Sequence, residues 1–81
     1  MKTYYIELIH IGEEINIGKG WSARSLRSAN RKAKKLVRNF PDCLARVSNY
    51  HTLETICYHR AYWDEFKNKY SSYEMAEEDL Y

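Results

Sequence analysis

Three side chains in this sequence have the chemistry of a metal ligand or a nucleophile: Cys43, Cys57 and His59. Positions 57 and 59 lie two apart, so on a strand they would share one face, with position 43 opposite them on a paired strand. A structural zinc site needs four ligands and usually contains a close pair of cysteines, which this chain lacks. We therefore expect two small buried thiols and a surface histidine at a strand end, without a metal or other cofactor.

The stretch GEEINIGKG, residues 12–20, superficially resembles a phosphate-binding loop. The step from Gly12 to Gly18 is one residue too long, and Gly20 stands where Ser or Thr would hold the metal ion. The two glutamates that follow Gly12 would also repel phosphates. Nucleotide binding is excluded on these grounds. No set of acid, base and nucleophile can be assembled from the sequence, so we expect a binding protein and not an enzyme.

The strongest signal is SARSLRSANRKAKKLVRNF, residues 22–40, which contains seven cations. Ser25 is a suitable N-cap, and Pro41 ends the segment because proline disfavours helical backbone in the residue before it. We predict a helix from about Leu26 to Arg38. Apolar residues recur along it at three- and four-residue steps, the spacing of one buried helical face: Leu26, Ala29, Ala33, Leu36, Val37 and Phe40.

The cations of this helix fall on the side away from the apolar residues, and no acid interrupts residues 15–41. An ordinary solvated surface mixes charges of both signs, although a face that is merely soluble remains the alternative. We predict that this side contacts an anionic partner. The predicted contact residues are Arg24, Arg27, Arg31, Lys34, Lys35 and Arg38, with Lys32 flanking.

Aromatic residues are frequent, and eight of them are tyrosines. They are too many to be buried together in so small a protein, so some should form a contact patch. We assign Trp21 and Tyr58 to the partner contact. Trp63 and Phe66 are expected to be covered where a terminal helix caps the sheet.

The remaining elements are predicted from hydrophobic pattern and turn residues. Residues 3–11 predict a strand with Ile6 and Leu8 inward. A turn at 12–14, a short return strand or extended loop at 15–17 and a hinge at 18–20 follow it. Residues 43–50 and 52–60 predict a hairpin, with a turn near position 50 that would place Cys43 opposite Cys57 and pair Ala45 and Val47 with Thr55 and Leu53.

A second helix is predicted after the hairpin. Aromatic residues recur there at steps close to those of a helical face: Tyr62, Trp63, Phe66, Tyr70 and Tyr73. Carboxylates in the first turn would interact favourably with the helix dipole. The element order is then β(β)αββα. Such an order predicts an α+β fold: a three- or four-stranded antiparallel sheet with one main helix packed on it.

Charge is distributed unevenly over the 81 residues, whose net charge is +2. Residues 1–69 form the predicted single α+β domain, and residues 70–81 hold four carboxylates and no cation, as an acidic tail or the end of the second helix. Such a tail is either a frayed terminus or a cover for the basic helix. With two cysteines, no apolar signal-peptide core and no membrane-length segment, we expect a soluble cytosolic protein.

Three segments together carry a family resemblance: MKTYYI as the opening strand, ARSLRSANRKAKKL as the basic helix and CLARVSN entering the hairpin. An alanine precedes Ser-Leu in the second segment, and spaced alanines lie among its cations. In these features residues 2–60 resemble small phage-encoded anti-CRISPR proteins, in particular a type I-F inhibitor family built as a sheet with one helix. The acidic C-terminus and residues 63–70 depart from that family.

The resemblance implies a non-enzymatic inhibitor in the host bacterial cytoplasm. Such proteins bind the backbone subunits of a CRISPR-Cas surveillance complex, block pairing with target DNA and can promote non-specific DNA retention. Arg27, Arg31, Lys34, Lys35 and Arg38 would match the family's basic helix. The alternative is a small phage regulator that binds DNA or RNA directly, although no helix-turn-helix, zinc-finger or ribonucleoprotein motif supports base recognition.

Overall fold

The computed structural model describes residues 2–12, 15–16 and 20–80 and confirms the α+β class, with one α-helix packed on an antiparallel sheet. A 3₁₀ helix, Glu77–Leu80, follows the last strand. The other elements in chain order are β1 (Tyr4–His10), β2 (Ile15–Asn16), β3 (Trp21–Ala23), α1 (Leu26–Asn39), β4 (Cys43–Asn49), β5 (Thr55–Asp64) and β6 (Lys69–Met75).

The sheet has the order β2-β1-β4-β5-β6, and β3 also pairs with β1. Because β2 pairs with the end of β1 and β3 with its beginning, the two short strands share one edge and the sheet is five strands wide. Helix α1 crosses one face and contacts β1, β3, β4, β5 and β6. Among the described residues, no helix has the length and apolar character needed to cross a membrane.

The core between helix and sheet is built mainly from small side chains. Ile6 and Leu8 point inward from β1 as predicted, at 0% and 3% exposure. On the helix, Ala29, Ala33 and Val37 are fully buried. Small residues allow the helix axis to approach the sheet closely, but each of them buries only a small apolar area. The core is therefore thin, as expected for a domain of this size.

Helix α1 forms where its apolar spacing predicts it, and it extends one residue further, to Asn39. The Ser25 hydroxyl accepts a hydrogen bond from the backbone N–H of Ser28 at 3.1 Å, which confirms the predicted N-cap. The backbone N–H of Phe40 closes the last turn on the carbonyl of Leu36, directly before Pro41.

The predicted register of the β4–β5 hairpin is wrong. Val47 and not Cys43 lies opposite Cys57, and Ala45 pairs with His59. The turn is longer and later than predicted: the backbone N–H of Asn49 donates to the carbonyl of Glu54, and Leu53 takes a positive φ of 62°. A bulge between the pairs of Val47 and Ser48 shifts the register further.

The predicted second helix is also wrong, because β5 continues to Asp64 and the chain returns as β6. Two features fix the intervening turn. Oδ1 of Asp64 accepts hydrogen bonds from the backbone N–H groups of Phe66 and Lys67, and Asn68 adopts a left-handed φ of 52°. Residues 70–75 thus belong to the sheet, and the acidic residues after them lie in the 3₁₀ helix instead of a helical tail.

The segment after β1 is described in part. Ile11 and Gly12 form a turn, with Gly12 at a φ of +91°, and residues 15–16 form the predicted return strand. Glu13, Glu14 and residues 17–19, which hold the rest of the predicted turn and hinge, lie outside the described residues. Gly20 packs against the ring of Tyr5 so closely that a Cβ would overlap it, which explains glycine at this position.

Candidate functional site: the cationic surface of helix α1

Helix α1 separates its residues into two sides. The buried side places Ala29, Ala33 and Val37 against the sheet. The opposite side carries cations whose side chains are all exposed. We call this the cationic surface; it consists of Arg24, Arg27, Arg31, Lys32, Lys34, Lys35 and Arg38.

No carboxylate of the described chain forms an ion pair with the cationic surface. Elsewhere in the described chain, Arg46 forms an ion pair with Glu7, and the imidazole of His59 lies 3.8 Å from the carboxylate of Glu74. The first turn of α1 contains no acid that could pair along the helix. Six like charges on one helix, with Arg24 directly before it, therefore repel one another and create positive potential that is available to an external anion.

Arg46, in β4, shows how the same fold treats an arginine that it uses internally. Its guanidinium lies 3.7 Å from Oε1 of Glu7, donates to Oγ1 of Thr55 at 2.7 Å and donates to the carbonyl of Leu53 at 2.9 Å. These partners orient the planar guanidinium of Arg46 and offset its charge. The cations of the cationic surface have no comparable partners among the described residues.

An open depression of about 580 Å³ lies beside the first two turns of α1. Three cations, Arg27, Arg31 and Lys34, line it together with Asn30 and Leu26. All five lining residues belong to α1, so the depression is an open groove between side chains of one helix. Because three cations line it, their positive potentials add there, and an anionic group in the groove could contact all three.

The acidic C-terminal segment does not neutralise the cationic surface. The 3₁₀ helix contacts β5, and Oδ2 of Asp79 accepts a hydrogen bond from the backbone N–H of Ala76 at 3.2 Å. None of its described carboxylates forms an ion pair with α1.

The two aromatic residues predicted for the partner contact lie in different places. Trp21 pairs with Ile6 and is half-buried on the α1 side of the sheet. Tyr58 is on the opposite side, because it alternates with Cys57 and His59, and it is 7% exposed. The structure therefore brings the predicted cations together on α1 but does not bring Tyr58 to that surface.

Exposed aromatic side chains gather instead at the β5–β6 hairpin, which the predicted terminal helix was expected to cover. Trp63 and Tyr70 form an edge-to-face pair with ring centroids 5.1 Å apart on the α1 side, and Tyr62 and Tyr73 form a second pair at 5.9 Å on the other side. Phe66, at the turn, is fully exposed. The expectation that Trp63 and Phe66 are covered is wrong.

A buried polar cluster lies on the inner side of α1. Cys57 is buried as predicted, but the prediction of a surface histidine is wrong, because His59 is fully buried beside Cys57. Asn30 from the helix and Glu74 from β6 complete it, since Glu74 pairs directly with His59. Cys43, expected beside them, pairs with His10 on β1. Glu74 could have been found only by predicting β6, and Asn30 only as the one polar residue next to the apolar stripe of α1.

Burial controls the protonation of this cluster. Burial lowers the pKa of His59, Glu74 opposes that effect, and Lys34 adds to it, so the imidazole is neutral. Burial, followed by the charge of Glu74, raises the pKa of the Cys57 thiol to about 12. Burial and Asp42 raise the pKa of Cys43 as well. Neither cysteine has the depressed pKa of an activated nucleophile.

Comparison with known proteins finds no family model, no curated protein and no solved structure that matches this chain.

Proposed function

We propose that this chain is a non-enzymatic binding protein whose cationic surface docks onto a negatively charged partner. The observation that carries the proposal is the cationic surface itself: six exposed cations on α1 and Arg24 directly before it, without an ion-pair partner among the described residues. A folded domain gains no stability from crowding like charges on one helix. Binding of an external polyanion would offset the repulsion among these cations, which explains why they are clustered.

The state of the candidate nucleophile supports a role without catalysis. The Cys57 thiol, with a pKa of about 12, is almost entirely protonated at neutral pH. It is also buried at 6% exposure, so a substrate could not reach it without displacing α1 or β6.

The partner that we propose first is the one implied by the sequence resemblance, a CRISPR-Cas surveillance complex in a bacterial host. The chain would act as a stoichiometric inhibitor that occupies the complex and prevents target DNA from binding. Two physical features support it: charge complementarity would guide the encounter, and the exposed aromatic pairs of the β5–β6 hairpin offer anchors of the kind found in protein interfaces.

A double charge reversal tests this proposal. Arg27→Glu with Arg31→Glu should abolish co-purification with the complex and restore its binding to target DNA. The matched control is Arg60→Glu with Lys67→Glu, which changes the net charge equally at exposed positions away from α1. Circular dichroism checks that both variants fold. Undiminished binding by the α1 variant would reject the cationic surface as the contact.

A second candidate function is direct binding of single-stranded or duplex nucleic acid. The observation that favours it is the exposed Trp63–Tyr70 pair on the same side of the sheet as α1, because aromatic rings beside cations can stack on bases while the cations contact phosphates.

Titration of the purified chain with DNA and RNA at two salt concentrations distinguishes the functions. Tight binding with a slope near −4.5 in log K against log salt corresponds to about five phosphate contacts. Negligible binding rejects this candidate.

A further inference from the structure

The buried polar cluster beneath α1 has no part in the proposed docking function, yet its geometry is unusual. Its members come from three elements: Asn30 from α1, Cys57 and His59 from β5, and Glu74 from β6. His59 is fully buried, and Cys57 is 6% exposed. Glu74 reaches the cluster from the surface, with 56% of its side chain exposed.

The partner atoms converge on one nitrogen of the imidazole. Nε2 of His59 lies 2.9 Å from Oδ1 of Asn30, 3.8 Å from Sγ of Cys57 and 3.8 Å from Oε1 of Glu74. In a nucleophile–base–orienter triad, the two partners bind opposite ring nitrogens. Here Nδ1 is buried without a hydrogen-bond partner. Convergence on one side of the ring is the arrangement of ligands around a common centre.

The spacing of these atoms is slightly wider than that of the ligands of a tetrahedral ion. With zinc–sulfur bonds of about 2.3 Å and zinc–nitrogen or zinc–oxygen bonds of about 2.0–2.1 Å, the ligand atoms of a tetrahedron lie roughly 3.3–3.6 Å apart. The ligand atoms of Cys57, His59 and Glu74 all lie within 4.8 Å of one another. Oδ1 of Asn30 lies 3.4 Å from Sγ of Cys57 and 2.9 Å from Nε2 of His59, so the amide oxygen is next to the same centre. Glu74 is the exposed member, and its side chain would have to move inward to bind an ion held by the other groups.

We propose that Cys57, His59 and Glu74 bind one Zn²⁺ ion, with the amide oxygen of Asn30 in the fourth position. Thiolate, imidazole and carboxylate are the ligand types that zinc selects in proteins. When the zinc–sulfur bond forms, the thiol proton passes to solvent. In the metal-free chain, Nε2 carries the ring proton and donates it to Oδ1 of Asn30. When zinc binds, this proton moves to Nδ1, and Nε2 presents its lone pair to the ion. One thiolate and one carboxylate balance its two positive charges.

An ion can approach the cluster from the side of Glu74, because 56% of this side chain is exposed to solvent. Lys34 faces the cluster and opposes a cation, but a zinc ion with two anionic ligands forms a neutral unit that this lysine does not repel. Because zinc must displace the thiol proton, affinity should rise with pH.

Titration of the folded, tag-free chain with Co²⁺, a spectroscopic substitute for Zn²⁺, tests the proposal. We expect a sulfur-to-cobalt charge-transfer band and tetrahedral d–d bands that saturate at one ion per chain, and loss of both bands when Zn²⁺ is added. Zinc at about 100 times its dissociation constant should raise Tm by at least about 10 °C.

Matched variants separate this site from a structural role of its residues. Cys57→Ser should remove the charge-transfer band, whereas Cys43→Ser, at the other buried cysteine, should retain it. Glu74→Gln changes an exposed side chain, so it should fold and bind Co²⁺ at least tenfold more weakly. His51→Gln, at an exposed histidine, should bind as the unmodified chain does. Absence of the band from the folded wild-type chain, or its survival in Cys57→Ser, would overturn the proposal.

Discussion

The two sides of helix α1 treat polar groups in opposite ways. On the outer side, six cations are exposed without an ion-pair partner among the described residues. On the inner side, the single amide of Asn30 contacts both His59 and Cys57. Groups that are satisfied within the fold contribute to stability, and groups left unsatisfied at the surface are available to a partner. The comparison therefore predicts that changes on the outer side alter binding and that changes on the inner side alter stability.

The largest effect is expected for the depression on the outer side. Reversing Arg27, Arg31 and Lys34 together to Glu should weaken binding to duplex DNA or heparin at least about 100-fold, because three attractive contacts become repulsive. The salt slope for DNA should fall by about 2.7, the value for three lost phosphate contacts. Fluorescence anisotropy at several salt concentrations measures both quantities.

The matched control for this triple variant is Arg60→Glu with Lys67→Glu and Lys69→Glu, which makes the same change in net charge at exposed positions off the helix. If binding depended only on net charge, the two triple variants would weaken it equally. Such a result would contradict a localised cationic surface.

The next largest effect is expected on the inner side, at Asn30. Asn30→Ala removes the hydrogen-bond partner of a fully buried imidazole, so the free energy of unfolding should fall by about 2 kcal/mol. Asn39→Ala, at the exposed end of the same helix, should change it by less than about 0.5 kcal/mol. Urea denaturation with a chelator present compares the metal-free proteins. If both variants lost the same free energy of unfolding, the hydrogen bond between Asn30 and His59 would contribute no more to stability than an exposed side chain does.

The outer side of α1 could be predicted from sequence because local pattern determines it. Apolar residues at three- and four-residue steps, the N-cap Ser25 and the stop at Pro41 are all local features, and each holds in the structure. The positions of the cations follow from the helix alone, since residues opposite a buried stripe must be exposed.

The inner side could not be predicted because it depends on pairing between distant segments. Tyr62, Trp63 and Tyr70 fit a helix about as well as a strand whose two faces are both largely exposed, where burial imposes no alternation. The signals that identify the hairpin were the turn residues Asp64 and Asn68. Because β6 was not predicted, nothing in the sequence indicated that Glu74 lies beside His59. The cluster could therefore not be recognised from the sequence.

A smaller, pH-dependent effect is expected from His59. Its pKa in the folded chain lies below the unfolded value of about 6.5, chiefly because burial disfavours the charged ring. The unfolded chain therefore takes up the proton first as pH falls. Stability should be complete above about pH 6.5 and should decrease below it by up to about 1.4 kcal/mol per pH unit until the folded pKa is reached.

Urea denaturation of the metal-free chain at pH 7.5, 6.5 and 5.5 measures this dependence. The groups that face His59 are Asn30, Cys57, Glu74 and Lys34, and of these Glu74 favours the charged ring while Lys34 disfavours it. His59→Gln should flatten the profile between pH 6.5 and 5.5, and His51→Gln, at an exposed position, should not. Identical profiles for the wild type and His59→Gln would assign the pH dependence to other groups.

The smallest effect is expected from reversing single charges at the two ends of α1. It separates binding from stability most clearly, because one of the two variants should gain stability while it loses binding. Arg27 lies in the first turn of α1, where the positive end of the helix dipole disfavours a cation, and Arg38 lies in the last turn, where the dipole favours one. If the cationic surface exists for a partner and not for the fold, Arg27→Glu should stabilise the chain by about 0.5 kcal/mol while it weakens binding. Arg38→Glu should weaken binding and destabilise the chain by a similar amount. Thermal and urea denaturation at low and high salt measure the pair, and the difference between the two variants should shrink as salt screens the dipole. A destabilised Arg27→Glu variant would show that this arginine has an internal role, and the contrast between the two sides of the helix would fail at that position.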